Sequence, residues 1–325
     1  MELPSAQRLQ HHGSGTELFS IFIVNIIFNI LTLGIYQFWA KTRIRRYLWS
    51  QTSVDDERFE YTGKGIELFL GYLIAMAVLF GVVMVFAIIG VVIAAIMYSM
   101  SYDEETIAVA FIVAYGFAYL LTLLLLPYAI YAAQRYKLTR TRWRSIRFGL
   151  AGSPVKYTFK TLGYTFLFFV TLGLITPIMN NNLNSYMMNH TQFGSQRFSY
   201  DGDGKDMFGK FLIALLLIIP TLGISMIWYM MAELRYQAAH TYLQDMRFEV
   251  DATTASVIWL IFSNLLLLII TLGLATPWIY IRNTRYISRY LKLDGQLDFS
   301  QIEQSSTEVN AAGEGLVQAF DVGGI

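Results

Sequence analysis

Four histidines, His11, His12, His190 and His240, are the residues best suited to metal or proton chemistry. His190 and His240 each fall nineteen residues after a threonine, Thr171 and Thr221, while Gln51 and Tyr290 hold the matching places after Thr32 and Thr271. A metal site needs ligands whose spacing lets them converge, and neither an H-x-x-x-H nor an HExxH pattern occurs. A repeated polar surface position explains the pair better than a metal does. Serine, threonine and tyrosine are plentiful, yet none sits in a G-x-S-x-G nucleophile turn. The chain has no cysteine, hence no thiolate nucleophile, thiolate metal site or disulfide. Its Gly-x-Gly pairs lack the third glycine and the strand–helix setting of a dinucleotide site, and no Walker-type loop is present. These residues point away from an enzyme and imply no cofactor.

A different set of residues recurs. The tripeptide TLG occurs at Thr32, Thr171, Thr221 and Thr271, and the last three lie 50 residues apart. Fifteen residues after each threonine stands a tyrosine: Tyr47, Tyr186, Tyr236 and Tyr286. Arg46, Arg235 and Arg285 precede three of them, and Ser185 precedes the fourth. A fifth copy fits if Leu121 replaces the threonine, giving Pro127 and Arg135-Tyr136. An arginine–phenylalanine pair follows at Arg58-Phe59, Arg147-Phe148, Arg197-Phe198 and Arg247-Phe248, and blurs in the last copy into QLDFS, which contains Phe299. Fixed-period similarity of this kind marks an internal repeat. Tyrosine suits a lipid–water boundary, with an apolar ring and a polar tip, and arginine can bury its stem there while its head reaches polar oxygens. The pair is therefore expected to act as a structural clamp, with each tyrosine ring packed against the Arg-Phe segment of its own copy.

The elements that carry these residues are apolar. Of 325 residues, 55% are hydrophobic and 14% charged, against about 25% charged in a soluble domain. Long charge-free runs span Leu18 to Ala40, Leu68 to Tyr102, Ile107 to Gln134, Thr161 to Gln196, Phe211 to Ala232 and Ala252 to Ile281. Each reaches the roughly 20 residues that a membrane helix needs. The expected fold is an all-α membrane protein, a bundle of about six kinked transmembrane helices built from repeats of about 50 residues, with short extended segments such as ERFEYTG at the membrane surface. Gly34, Gly173, Gly223 and Gly273, with Pro177 and Pro277 close behind two of them, are expected to bend their helices. Ahead of three runs stand GSGTELF, GKGIELF and GDGKDMF. Their glycines suit tight turns, and Glu17, Glu67 and Asp206 suit the first turn of a helix. Residues 1–300 form one repeat-built domain, and 301–325 a mobile polar tail. No cleavable leader is evident, so the first span is expected to serve as its own insertion signal.

The segments TLGIYQFWAKTRIRRYL from Thr32 and RFEYTGKGIELF from Arg58 resemble the YjgN-type bacterial inner-membrane proteins, a family of unknown function, over roughly residues 13 to 300. The resemblance implies a multipass protein of the bacterial inner membrane and brings no catalytic residue with it.

Two topologies remain open. Either each TLG kinks a single span, or each is the tip of a re-entrant hairpin whose Arg-Tyr ends share the cytoplasmic face. Lys41, Arg43 and Arg45 would lie on a returning limb, where charge is costly in hydrocarbon, so kinked spans are preferred. With single spans, the loops divide 16 basic residues against 8 and put both termini outside. The linker at Asp103, Glu104 and Glu105 has no basic residue and belongs opposite the basic stretch Arg135–Arg147. Asn25 and Asn264, each seven residues before a TLG threonine, are expected to hydrogen-bond between helices. The expected partners are membrane lipids, and a net charge of +1 gives no reason to expect nucleic acid. Two roles follow: binding or transport of a small solute or lipid, or a non-catalytic scaffold organising lipid or a protein partner. The sequence names neither a substrate nor an oligomeric state.

Overall fold

A computed structural model describes residues 7–303, apart from the side chains of Gln7, Arg8 and Gln301. Within them the chain divides into two compact units, one of residues 7–65, 137–152 and 163–303, the other of residues 66–136 and 153–162.

The first unit contains ten short strands: β1 (Gln7–His11), β2 (Thr52–Val54), β3 (Glu57–Tyr61), β4 (Thr141–Trp143), β5 (Ile146–Leu150), β6 (Thr191–Phe193), β7 (Gln196–Tyr200), β8 (Thr241–Leu243), β9 (Met246–Val250) and β10 (Leu291–Asp294). Every pairing is antiparallel, and each strand has two partners, so the sheet closes on itself as a barrel. The turns Asp55-Asp56 and Arg144-Ser145 have φ of 49° and 60°, and of 48° and 62°. This is the two-residue geometry whose twist matches that of the strands it joins. The fifth β-hairpin differs, because β10 pairs with β1 from the other end of the chain. Arg8 stands opposite Lys292, in the register that Arg58, Arg197 and Arg247 hold opposite Ser53, Gln192 and Tyr242. The Arg-Phe pair that blurs at the C-terminus is therefore supplied by Arg8-Leu9.

Alternation turns apolar side chains into the barrel. Val54, Trp143, Phe193, Leu243 and Leu293 are buried in its core, one from each three- or four-residue strand. Leu9, Phe59, Phe148, Phe198 and Phe248 pack against them from the longer strands. Phe148 and Phe193 stand 4.7 Å apart, ring centre to ring centre.

Between the strands run helices α1 (Gly15–Leu31), α2 (Gln37–Ser50), α3 (Gly65–Ser99), α4 (Glu104–Thr139), α5 (Pro154–Val170), α6 (Thr176–His190), α7 (Phe208–Leu216), α8 (Ile224–Ala239), α9 (Thr254–Ile270) and α10 (Thr276–Tyr290). They form five antiparallel pairs. In the second unit, Gly90 of α3 faces Phe111 and Ala114 of α4, and Tyr136 of α4 reaches Glu67 at the start of α3. At 35 and 36 residues, or about 52–54 Å, only these two helices are long and apolar enough to cross a bilayer among the described residues.

The all-α bundle of six kinked spans is thus overturned by a ten-stranded barrel and two candidate spans. The runs Leu68–Tyr102 and Ile107–Gln134 correspond to α3 and α4. Each of the other four holds a TLG at which one helix ends and another starts back. Kinking was preferred over reversal, and reversal is what the structure contains. Strands of three residues are too short to announce themselves by periodicity beside such strong helical signals.

Candidate membrane-facing site

Each TLG ends a helix by the same bonds. The Thr32 hydroxyl donates to the Phe28 carbonyl at 2.7 Å and accepts from the Tyr36 amide at 2.9 Å, so one side chain caps both limbs. Thr171, Thr221 and Thr271 repeat both bonds. The following leucines have φ near 50° and the glycines φ of 85° to 91°. Two successive left-handed residues turn the chain back, and the glycine does so without the steric penalty a β-carbon would bring. Pro177 and Pro277 do not kink a helix. They occupy the first turns of α6 and α10, where a missing N–H costs nothing. Pro220 explains why α7 is short, because it cannot bond to the carbonyl of Leu216, where that helix stops.

The tips are apolar and bare. Leu33, Leu172, Leu222 and Leu272 are each at least 90% exposed, with Ile30, Leu31, Phe169, Val170, Ile219 and Ile270 exposed beside them. In every short hairpin the charged residue nearest the TLG threonine stands nine to eleven places away: Lys41, Lys160, Lys210 and Arg282.

The bases carry the tyrosines. Tyr47 donates to Glu17 at 2.8 Å and accepts from the Ser14 amide at 2.8 Å. Tyr236 makes the matching bonds to Asp206 at 2.6 Å and from Asp203 at 2.8 Å. Tyr136 donates to Glu67 at 2.7 Å, and Tyr286 shares a 2.5 Å bond with Ser256. Tyr186 has Lys156 in the corresponding place and stacks on His190 instead. The clamp therefore joins the two limbs of one helical hairpin, and the expected docking onto the Arg-Phe strand is corrected. These tyrosines do not converge on one site, since Tyr47, Tyr136, Tyr236 and Tyr286 each close their own hairpin.

The arginines link neighbours instead. Arg46 donates to the Gly63 carbonyl at 3.2 Å, Arg235 to Ala252 at 3.1 Å, and Arg285 to Gly13 at 2.6 Å, which ties the last hairpin to the first. Arg135 lies 5.9 Å from the ring centre of Tyr131. The Gly-x-Gly pairs serve close approach rather than positive φ. A β-carbon at Gly13, Gly63 or Gly202 would collide with the ring of His11, Tyr61 or Tyr200 two residues earlier. One at Gly15, Gly65 or Gly204 would strike Trp278, Trp39 or Ile178.

Asn264 donates to Asn283 at 2.7 Å, which joins α9 to α10, and Asn25 lies 3.5 Å from Arg43 across α1 and α2. His240 meets Asp201 at 2.7 Å, and His190 meets its own helix at the Tyr186 carbonyl. Among the described residues no group of three or more His, Asp or Glu could hold a metal. At the base of the first hairpin, Ile21, Arg43, Arg46, Tyr47 and Ser50 line a groove of about 250 Å³. It combines two guanidinium groups one helical turn apart, two hydroxyls and an apolar wall. Sequence spacing alone did not single out this groove, although Arg43 stands eleven residues after Thr32 as Arg282 stands after Thr271.

The family model described as "Bacterial protein of unknown function (DUF898)" matches residues 6–232 and 210–319, nearly the whole described chain. The chain belongs to that family. Among curated proteins it is similar to "Inner membrane protein YjgN" of Escherichia coli O157:H7 and of Escherichia coli strain K12. Each is 36% identical over 84 residues, 26% of this chain and 21% of the relative. The protein of the same name from Salmonella typhimurium is 33% identical over 66 residues, 20% of this chain and 17% of that one. The matched stretch thus spans about a fifth of each relative. No solved structure matches. This DUF898 protein is a bacterial inner-membrane protein.

Proposed function

We propose that this protein is a non-catalytic organiser of phospholipid that works on one leaflet of the inner membrane. The long hairpin α3–α4 crosses the bilayer, and the four TLG hairpins enter from the barrel's face and turn back near the midplane. The observation that carries this reading is the pairing of bare leucine tips with charges that begin nine to eleven residues away. Along a hairpin limb that spacing is about 15 Å, half the hydrocarbon thickness. The objection raised by Lys41, Arg43 and Arg45 then disappears, because a half-depth hairpin leaves them at the headgroups. There Arg43 and Arg46 suit a lipid phosphate, and Ile21 suits the start of an acyl chain. The basic stretch Arg135–Arg147 is cytoplasmic on this reading, and Asp103–Glu105 exoplasmic. A barrel packed with apolar side chains offers no wet path, which counts against passage of a polar solute through it.

The test is depth. Leu222→Cys, coupled to an environment-sensitive fluorophore in nanodiscs, is expected to respond most strongly to quenchers placed at the ends of the lipid chains. Quenching by a water-soluble reagent from either face would refute half-depth insertion. Anionic lipid is expected to raise the thermal midpoint of the wild type more than that of Arg43→Gln/Arg46→Gln. Equal shifts would remove the headgroup groove from the proposal.

A further inference from the structure

We infer that the lumen of the β-barrel is a binding site for one small apolar group, an aromatic ring or a short alkyl segment. An eight-stranded barrel is just wide enough for side chains to fill its interior, and width grows with strand number. This barrel has ten strands, and its inward residues fall short of the axis. They leave a cavity of about 180 Å³ lined wholly by apolar side chains, among them Trp143, Phe148, Phe193, Phe198, Leu243 and Phe248. A buried water needs two to four polar partners, and none of the lining residues supplies one. An apolar cavity of about 150 Å³ engineered into another protein stays dry and takes up benzene or xenon. The size and lining here select the same chemistry and reject charged or hydrogen-bonding ligands, whose polar groups would be stranded.

The lumen also has a cover at one end. After β10 the chain crosses the turn end of the barrel. Leu297 reaches the cavity wall, Phe299 packs on Trp143 at 5.5 Å, and Ile302 is buried. Hydrogen bonds hold this segment at the rim. Gln244 and Asp298 exchange two, at 2.9 Å and 3.4 Å, and Ser195 and Glu303 exchange two more, at 2.8 Å and 3.0 Å. The side-chain bonds among them are exposed to water, where each is worth little and breaks readily. The lumen residues are not those that face lipid at the hairpin tips, so this site stands or falls apart from the proposal above.

The test uses the full chain in nanodiscs. Benzene is expected to raise the thermal midpoint saturably, and phenol to raise it much less. Leu243→Trp, which fills the cavity, is expected to abolish the benzene shift. Met246→Phe is a milder second filling should the tryptophan variant fail to fold. Crystals under xenon pressure are expected to show one xenon atom in the lumen. No saturable shift and no xenon peak would overturn the inference, as would equal shifts in wild type and filled variants, which indicate partition into lipid. Lipids brominated at the chain end identify the source. Quenching that Trp143→Phe removes assigns the site to an acyl-chain terminus, while benzene binding without such quenching assigns it to a free apolar molecule.

Discussion

The long hairpin α3–α4 and the short hairpins share a plan at the base and part company at the tip. Tyr136 bonds Glu67 in the long pair as Tyr47 bonds Glu17 and Tyr236 bonds Asp206 in short ones. Yet where α1, α5 and α9 stop at threonine, α4 runs unbroken through Leu121-Thr122-Leu123 and past Pro127. Part of the difference is local chemistry. The long hairpin has no hydroxyl placed to cap both limbs and no glycine to take the second left-handed position. Leu121 also stands 58 residues after Gly63, where Thr32 and Thr221 stand 19 after Gly13 and Gly202, so added length and the missing TLG together set the long hairpin apart.

The largest effect is expected from moving the stop. Leu121→Thr/Thr122→Leu/Leu123→Gly places TLG inside α4 and is expected to break the spanning pair. Cysteine at Ser101 labels this. In wild type an impermeant reagent on intact cells is expected to reach Ser101→Cys but not Ser145→Cys. In the transplant, labelling at 101 is expected to fall several-fold. Equal labelling of 101 and 145 in the unaltered chain would end the one-face account of the barrel.

Next come the base tyrosines, which sharpen the shared half of the comparison. Tyr136 is fully buried, whereas Tyr236 is bonded at a more open base. Tyr136→Ala is expected to cost about 3–5 kcal/mol, and Tyr236→Ala about 2–4 kcal/mol, as for other aromatic truncations. Tyr236→Phe keeps the ring but removes the hydroxyl's bonds to Asp206 and from the Asp203 amide, and is expected to cost about 1.5–3 kcal/mol at most. Thermal melts in detergent rank the three, and loss of activity without loss of stability would move these residues from clamp to working site.

Gly223 has φ of 85°, with nothing near the place a β-carbon would take. Gly223→Ala therefore probes backbone conformation alone and is expected to cost about 1–2 kcal/mol. Gly116, within α4 and equally free of neighbours, should gain stability on the same change, by about 0.5–1 kcal/mol. Chemical denaturation of both variants checks the opposite signs.

An effect confined to acid pH concerns the strand that feeds the first short hairpin. His11 bonds Thr52 at 2.9 Å, and its other ring nitrogen is buried without a partner. Burial, then Arg285 and His12, lowers its pKa from 6.5 to about 4. The unfolded chain then binds the proton more readily than the native one, so this contribution is whole above pH 6.5 and fades as pH falls towards 4. Because the ring is only half-buried, the loss is put at about 1–2 kcal/mol after allowing for screening. Melts of wild type and His11→Asn across that window are expected to converge at low pH.

Much of this was legible in the residues. TLG, the tyrosine fifteen places on and the Arg-Phe pair each mark one recurring structural event. What stayed hidden was nonlocal or ambiguous. Glycine followed by proline signals a kink and a reversal alike. Lys41, Arg43 and Arg45 argued against reversal only while every limb was assumed to cross the full bilayer. The charges stand at similar distances from all four TLG threonines, a pattern that fits the half-depth hairpins proposed above. Ring closure was also within reach, because Arg8-Leu9 precedes GSG at the spacing by which Arg58-Phe59 precedes GKG. The groove at Arg43 and the cavity in the lumen were not singled out by spacing, since each depends on how separate elements meet.

The pairing of β1 with β10 sets a timetable for biosynthesis. The first strand to leave the ribosome is among the last to be fully paired, because one of its two neighbours is made almost 300 residues later. Until then the nascent sheet has an open edge, with backbone groups that any other strand could meet. Five helical hairpins are translated between β1 and β10 while that edge stays open. A stalled or truncated chain that ends before Leu291 can never seal it. Quality control of this protein therefore has a simple sign to read, a barrel left ajar by one strand.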